Sequence, residues 1–264
     1  MNYYRAKIQY DGTDYTGFQW QKDRPSIQRD FNQALEKITG ATFTTMGASR
    51  TDSGVHAFEQ YIKITSQDEM NPEEMVSRLN KTLAPEIRCL EFIPSHKQFK
   101  PTNDCLSKEY RYFFTNLLKD DSKDRKFIAN NPYPLDVEVM KICVAALRGE
   151  NNFQNFVSMG SNVKTTIREV FECELTEVNP HEVLTSPELF SLPANLTNCY
   201  QFRISGNGFL KHMIRHLMMA LWKVGNGKLT VDEFKELLKG EKNADKLWKV
   251  AHAKGLFLYR IQYE

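Results

Sequence analysis

The sequence predicts an α+β protein in which two ferredoxin-like (βαββαβ) halves join into one extended antiparallel sheet with helices on one face. Three observations predict this class. The order strand, helix, strand, strand, helix, strand occurs twice, the strand segments alternate polar and apolar side chains, and the helical segments carry apolar stripes. The other face of such a sheet is free, and we expect a central cleft between the halves that is open to a ligand.

The first half is expected over residues 1–98. Residues 3–10 alternate polar and apolar side chains as a strand does, and a turn-rich stretch follows. The next segment is an amphipathic helix with an apolar face made of Ile27, Phe31, Leu35 and Ile38. A cap residue, a proline and two carboxylates in residues 71–74 mark the start of a second helix. The remaining elements of this half are strands at residues 42–48, 57–64 and 87–93.

The second half is expected over residues 99–264 and repeats the same order of elements. Its predicted strands lie at residues 107–116, 168–175, 200–205 and 256–263, and its predicted helices at residues 137–147 and 209–224. An extra helix is predicted at residues 230–239. Residues 177–198 contain three prolines and no clear period, which predicts a long exposed loop that is either functional or partly disordered.

The composition is that of an ordinary globular protein, with 41% hydrophobic and 26% charged residues. No apolar run is long enough to cross a bilayer and the first residues do not resemble a secretory signal, so we expect no membrane role and a cytoplasmic location. The five cysteines are odd in number and widely spaced, which predicts reduced thiols rather than a metal site. The net charge of +2 permits binding to nucleic acid but does not require it.

The segment with the clearest chemical pattern is GASRTDSGVHA, residues 47–57, which lies between two predicted strands. Glycines on both sides of Arg50 and Asp52 allow the backbone to turn tightly and a bulky ligand to approach. Taken alone, this pattern also fits a structural Arg–Asp pair in a turn.

This segment resembles the catalytic loop of the tRNA pseudouridine synthase A family, and the resemblance extends over nearly the whole chain. The further matching motifs, in the family's order, are YDGT and GFQ in residues 10–19, KEYRY in 108–112, GENNF in 149–153, GNGFLKHMIR in 206–215, VGNG in 224–227 and AKGL in 253–256. One such motif would be weak support, but the ordered set is specific.

The resemblance implies an enzyme that isomerises uridine to pseudouridine in the anticodon stem-loop of tRNA, at positions 38 to 40. It implies no metal and no organic cofactor, because the uracil is only detached, turned and rejoined through C5. It also implies a homodimer whose two clefts jointly bind the tRNA.

The resemblance assigns the catalytic roles to three residues. Asp52 would be the carboxylate that attacks the target nucleotide, and Arg215 the guanidinium that keeps Asp52 ionised. Tyr110 would stack on the uracil and assist removal of the C5 proton. The strand pattern alone is equally compatible with an ordinary buried aromatic at residue 110.

Further residues would bind the substrate. By resemblance, Arg50 would fill the gap left by the flipped base, and Leu256 would form an apolar wall of the uracil pocket, although a core leucine would look the same. Lys211, His212, Arg215 and His216 are expected on an RNA-facing helix. The four-residue spacing of the two histidines also suits a metal, but the intervening Arg215 and the lack of a third ligand argue against one.

The chain departs from the family pattern at Pro101-Thr102, where Ala-Arg is usual, so one expected RNA-contacting arginine is missing. Three alternatives remain open. They are a non-catalytic RNA-binding protein, a related pseudouridine synthase with another RNA target, and an enzyme that acts on another base or on a free nucleoside.

Overall fold

The computed structural model describes residues 1–117, 126–158, 160, 163–186, 188–196, 198–240 and 249–264. The chain divides into two compact units. Unit 1 comprises residues 1–106, 186–191 and 257–264, and unit 2 comprises residues 107–185 and 192–256. The sequence pattern predicts a division after residue 98, whereas the compact units divide after Leu106 and unit 1 also includes two later segments.

The predicted α+β class is confirmed over the described residues. The strands are β1 (Asn2–Tyr10), β2 (Phe43–Gly47), β3 (His56–Ser66), β4 (Ile87–Pro94), β5 (Ser107–Thr115), β6 (Ala129–Asn130), β7 (Gly149–Asn152), β8 (Ile167–Val178), β9 (Cys199–Gly206) and β10 (Leu256–Gln262). The helices are α1 (Ile27–Thr39), α2 (Pro72–Thr82), α3 (Val137–Ala145), α4 (Pro180–Val183), α5 (Met213–Gly225) and α6 (Val231–Leu237). Most predicted elements agree with these bounds to within about three residues.

Unit 1 contains a sheet in which β1 lies between β4 and β3 and pairs antiparallel with both. Strand β2 pairs antiparallel with residues 62–66 of β3, which completes the ferredoxin-like order β4-β1-β3-β2. Strand β10 pairs parallel with the opposite end of β3, where Phe257 faces His56 and Leu258 faces Ala57. One edge of β3 therefore serves two strands.

The core of unit 1 follows from the alternation in β1. Tyr4, Ala6, Ile8 and Tyr10 are buried and the residues between them are partly exposed, as expected for a half-buried strand. The helices add Ile27, Phe31, Leu35, Met75 and Leu79 to the buried set. Full burial of each large apolar side chain contributes roughly 1.5–3 kcal/mol.

Unit 2 contains a second antiparallel arrangement, in the order β5, β9, β8, β7. Tyr112 and Phe114 of β5 point to the same side and pack edge-on against Trp222 of α5, with ring centroids 5.9 and 5.6 Å apart. The short strand β6 pairs parallel with β5. The strands β6 and β7 are missing from the sequence prediction because segments of two and four residues carry too little periodicity.

The predicted start of the helix at residue 209 is wrong. Helix α5 begins at Met213, and His212 before it adopts a left-handed backbone conformation with φ 61°. A residue in that conformation cannot continue a right-handed helix, so Lys211 and His212 precede the helix instead of lying on it.

The predicted loop at residues 177–198 is only partly exposed, and it begins later than expected. Strand β8 continues to Val178, α4 follows after one residue, and several side chains beyond it are buried. These are Leu184, Leu189, Phe190 and Leu196. The prolines interrupt any regular period, so the sequence pattern does not reveal this burial. Within the described parts of the chain, no helix is both long enough and apolar enough to span a bilayer.

Candidate active site

Asp52 lies in a tight turn of unit 1. The Val55 N–H donates to the Asp52 carbonyl oxygen at 3.1 Å, and Gly54 has φ 75°, which a residue with a side chain rarely adopts. Asp52 is partly exposed and Arg50 is exposed, so both are accessible from the turn that they share. We call residues 47–57 the Asp52 loop.

The base of the Asp52 loop is fixed by buried side chains. Gln60, which is fully buried, accepts the Ser49 N–H at 3.1 Å and donates its own amide to the Ser49 carbonyl oxygen at 2.7 Å. Phe18 packs so closely on Gly47 that a Cβ there would lie 2.1 Å from its ring. Thr102, at the position of the missing arginine, donates to the Gly47 carbonyl oxygen at 3.3 Å.

Residues 10–18 contact the start of the turn at Thr51. The Thr51 hydroxyl lies 2.8 Å from the Tyr10 hydroxyl in a buried hydrogen bond, and the Thr51 carbonyl oxygen accepts the Phe18 N–H at 3.1 Å. Gly17 has φ 108°, and a Cβ at that position would lie 2.6 Å from the Thr51 carbonyl oxygen. The close approach of the two backbones therefore requires glycine at residue 17.

The middle of the turn is held at Tyr15. The Tyr15 carbonyl oxygen accepts both the Gly54 N–H and the Ser53 hydroxyl, each at 3.2 Å. The Tyr15 hydroxyl donates to Asp30 of α1 at 3.0 Å. Burial and the neighbouring Asp30 carboxylate both raise the pKa of Tyr15, so the phenol stays protonated as this bond requires.

The exit of the turn meets a buried polar pair, Asp11 and His56. The Gly12 N–H donates to His56 Nδ1 at 3.1 Å, and Asp11 Oδ1 lies 3.1 Å from the same nitrogen. Asp11 Oδ1 also accepts the N–H and the hydroxyl of Thr13, at 2.9 and 2.5 Å. Burial alone would raise the pKa of Asp11, but the contacts from His56 and Thr13 outweigh it and lower that pKa.

In unit 2, Tyr110 is buried on β5 opposite Ile204 of β9. Its ring packs edge-on against Phe209, with centroids 5.2 Å apart. Phe209 begins the segment that continues through Lys211 to Arg215, so Tyr110 contacts the start of that segment.

Arg215 is anchored at its Nε, which donates to the Ala251 carbonyl oxygen at 2.7 Å. The Ala251 N–H returns a bond to the Arg215 carbonyl oxygen at 3.1 Å. The next residue, His252, accepts the Tyr112 hydroxyl at 2.7 Å. Burial raises the pKa of Tyr112 and the Arg215 charge only partly opposes this, so the hydroxyl remains a donor.

Leu256 follows the same anchored segment and is buried. Gly255 before it lies against β5, where a Cβ would come within 2.4 Å of the Phe113 carbonyl oxygen. Unit 2 thus brings Arg215 and Leu256 to the two ends of one short segment, residues 251–256, which is bonded to α5 and β5.

Lys211 is exposed and His212 is partly exposed, as RNA contacts would require. The Ser158 hydroxyl lies 2.6 Å from His212 Nδ1 and 3.2 Å from His216 Nε2. The expectation that His216 faces RNA is wrong, because His216 is buried. Burial and the nearby His212 and Arg215 lower the pKa of His216 to about 4, so it is uncharged at neutral pH.

A known protein family matches this chain over most of its length. The sequence profile described as tRNA pseudouridine synthase matches residues 6–102 and 143–264. The chain belongs to this family. Its curated relatives include tRNA pseudouridine synthase A 2 of Desulfotalea psychrophila, 36% identical over 99% of both chains. The tRNA pseudouridine synthase A of Syntrophomonas wolfei is 29% identical over 100% of this chain and 98% of its own, and that of Streptococcus pneumoniae serotype 19F is 31% identical over the whole of both.

Members of the tRNA pseudouridine synthase family isomerise uridine to pseudouridine in tRNA, and the chain is therefore a tRNA-modifying enzyme. The family resemblance and the activity class expected from the motifs are confirmed. Among the described residues of this synthase, no group of three or more His, Cys, Asp or Glu side chains is placed to hold a metal ion.

Sequence reasoning missed the residues that hold the Asp52 loop in this synthase. Gln60 is a buried side chain that bonds to the backbone of Ser49, and Asp11 and His56 form a buried polar pair at the end of the loop. Asp11 and His56 belong to the motifs that carry the family resemblance, which was the only available signal. Gln60 lies in an alternating strand pattern, where nothing distinguishes it from a solvated polar residue.

Proposed function

We propose that the chain converts uridine to pseudouridine at positions 38 to 40 of the tRNA anticodon stem-loop, with Asp52 as the catalytic carboxylate. The observation that carries this proposal is the fixed geometry of the Asp52 turn. Contacts at Thr51, at Ser53 and Gly54, and at His56 hold the backbone on each side of Asp52, while the carboxylate stays partly exposed. A catalytic group that is already held in position loses less entropy when it contacts the reacting atom, which lowers the barrier to reaction.

The reaction breaks the bond between uracil N1 and ribose C1′ and forms a bond between C5 and C1′. The C5 proton leaves to a base and N1 takes up a proton, so the atoms of the nucleotide are conserved. The Asp52 carboxylate can serve either as a covalent nucleophile or as the counter-charge for a cationic sugar. Neither route needs a metal ion or an organic cofactor.

By resemblance, Arg215 and Tyr110 have the other catalytic roles. In this proposal Arg215 favours the ionised form of Asp52, and its anchored Nε restricts where the guanidinium can point. Tyr110 presents a ring for stacking on uracil and a hydroxyl for C5 proton removal, and the edge contact with Phe209 limits its rotation.

The remaining contacts concern binding of the flipped nucleotide. Arg50 would fill the gap left by the base and Leu256 would line the uracil pocket. Base extrusion costs a few kcal/mol and stacking returns about 1–3 kcal/mol per base, so a residue in the gap can decide the balance. Lys211 and His212 would contact phosphates. We also propose a cytoplasmic homodimer that binds tRNA.

The test is release of tritium from tRNA labelled at uracil C5. We expect Asp52→Asn to abolish release, because the amide keeps the shape of the side chain but cannot act as a nucleophile or counter-charge. The matched control is Asp68→Asn, which changes an exposed aspartate of the same unit and should release tritium at the native rate. Full release by Asp52→Asn would exclude the proposed mechanism.

A separate measurement identifies the tRNA positions that are modified. Pseudouridine mapping on tRNA from cells that lack the protein should show loss at positions 38 to 40. Loss at other tRNA positions, or in another RNA, would retain the chemistry and assign a different target.

A further inference from the structure

The residue that fixes the exit of the Asp52 turn is His56, whose role lies outside the proposed chemistry. Its ring is fully buried, stacks on Phe257 with centroids 4.7 Å apart, and meets the edge of Phe190 at 6.3 Å. These two aromatic contacts fix the plane of the imidazole. Packing therefore sets the plane of the ring, and the polar contacts at Nδ1 select which edge of the ring faces residues 11 and 12.

His56 Nδ1 has two polar neighbours that compete for it. The Gly12 N–H and Asp11 Oδ1 each lie 3.1 Å away. A ring nitrogen with a proton donates to the carboxylate, and one without a proton accepts from the amide, so both bonds cannot form together. The hydrogen of Gly12 is fixed by the backbone and points at Nδ1, so the geometry pairs this amide with the ring nitrogen. Asp11 Oδ1 already accepts two donors from Thr13.

The contact with Gly12 reaches Asp52 through a short path. The Val55 carbonyl oxygen lies so close to Gly12 that a Cβ there would come within 2.0 Å of it. Val55 also closes the turn by donating to the Asp52 carbonyl oxygen. A shift of Gly12 away from His56 therefore displaces Val55 and the turn that carries Asp52.

We propose that His56 is a positioning residue that accepts the Gly12 N–H through unprotonated Nδ1 and thereby holds the Asp52 carboxylate in its reactive place. This inference rests on the proposed role of Asp52. In this proposal the Gly12 amide takes the Nδ1 lone pair, and the Asp11→Asn variant tests whether the neighbouring Asp11 carboxylate also acts on His56. The contribution of His56 is to geometry, so its loss should lower kcat and leave KM for tRNA nearly unchanged.

The experiment compares three variants in the full chain by tritium release, with kcat and KM measured separately. His56→Phe keeps the ring and removes the acceptor, and we expect kcat to fall about 100-fold, the scale of a misplacement near 1 Å. His56→Asn places an oxygen near the position of Nδ1 and should restore kcat to within about 10-fold of native. Asp11→Asn keeps an oxygen that accepts from Thr13, so its kcat should stay within about 3-fold of native.

Each outcome decides the inference. Native kcat in His56→Phe, or an equal fall of kcat in His56→Phe and His56→Asn, would overturn it. A 100-fold loss of kcat in Asp11→Asn would also overturn it, because that result would indicate that His56 acts through an ion pair with Asp11. His96→Phe, which changes an exposed histidine of unit 1, is the matched control and should be native. If Asp52→Asn is inactive while His56→Phe is fully active, this inference fails and the proposed function stands.

A measurement on the native chain covers the case in which His56→Phe does not fold. A two-bond ¹⁵N–¹H correlation spectrum distinguishes protonated from unprotonated ring nitrogens. We expect His56 to show the proton on Nε2 at neutral pH, and a proton on Nδ1 would overturn the inference without any substitution.

Discussion

At the scale of single residues, the Asp52 loop depends on backbones that approach more closely than side chains allow. Gly12, Gly17 and Gly47 each face an atom within 2.6 Å of where a Cβ would lie. Two of these neighbours are carbonyl oxygens of the loop itself. The loop can therefore be fixed by hydrogen bonds without bulky residues around Asp52, and the carboxylate remains accessible.

Gly17→Ala should impair both stability and activity, because φ 108° is unfavourable for alanine and the new methyl would meet the Thr51 carbonyl oxygen. We expect a loss of about 2–4 kcal/mol in unfolding free energy by urea titration. Gly40→Ala is the control, since Gly40 has φ 63° but no atom within 4 Å of a Cβ. It should cost about 1 kcal/mol. Equal losses in the two variants would contradict the steric argument.

His216 predicts a pH dependence of stability. Its pKa is about 4 in the folded chain against a model-peptide value of 6.5, so between these values the unfolded chain binds a proton that the folded chain does not. The unfolding free energy therefore falls as pH is lowered from about 6.5 to about 4, and the contribution of His216 is constant outside this window. The contribution is roughly 3 kcal/mol, at 1.36 kcal/mol per pKa unit.

His216→Gln removes this titration, so the variant should show a shallower fall in unfolding free energy between pH 6.5 and 4.5 than the native chain. The difference between the two proteins is the relevant quantity, because other groups titrate in both. If the unfolding free energy falls equally with pH in the native chain and the variant, His216 is not the group responsible.

At the scale of elements, alternation and helical stripes predicted most strands and helices because burial of one face is what both patterns encode. The pattern failed where tertiary contacts decide the backbone. Residues 209–212 suit a helix by composition, but His212 adopts a left-handed conformation and bonds to Ser158. No local signal in the sequence reports that bond.

The sequence predicted the chemical groups of the candidate site but not the buried residues that hold them in place. Asp52 and Arg50 could be found because a carboxylate and a guanidinium between glycines form a recognisable motif. The buried partners of the loop could not, because Gln60 and Thr51 are ordinary residues whose role arises only when distant segments meet. Hydrogen bonds between residues far apart in sequence leave no periodic trace.

Phe190 tests the burial of a segment that the sequence predicted to be an exposed loop. Its ring is 1% exposed and contacts the rings of His56, Phe58 and Phe257. Phe190→Ala should reduce unfolding free energy by about 3–5 kcal/mol. Glu188→Ala, two residues earlier with a side chain that is 78% exposed, should change it by less than about 0.5 kcal/mol. Similar values for both would show that the segment does not pack as described.

At the scale of the whole molecule, unit 1 is assembled from three separate parts of the chain. Residues 257–264 supply Phe257, Leu258 and Ile261 to its buried set, and residues 186–191 supply Phe190. The first 106 residues contain the ferredoxin-like strands but lack these side chains. The catalytic aspartate and the residues that support it are therefore separated widely along the sequence.

A fragment of residues 1–106 should not fold cooperatively, because the end of β3 that carries His56 would lose both its strand partner and its aromatic cover. Circular dichroism during urea titration should show a shallow change without a transition. Attaching residues 257–264 through a flexible glycine–serine linker should partly restore a transition. A sharp two-state curve for the fragment alone would contradict this expectation.

The pairing of β10 with β3 has a consequence during protein synthesis. A nascent chain emerges from the ribosome with its amino-terminal residues first, and domains generally fold as they become available. Here Asp52 leaves the ribosome early, but the strand that lies beside His56 is translated much later. Growing polypeptides should therefore carry Asp52 in an incomplete setting until residues 256–262 have been translated and have paired with β3.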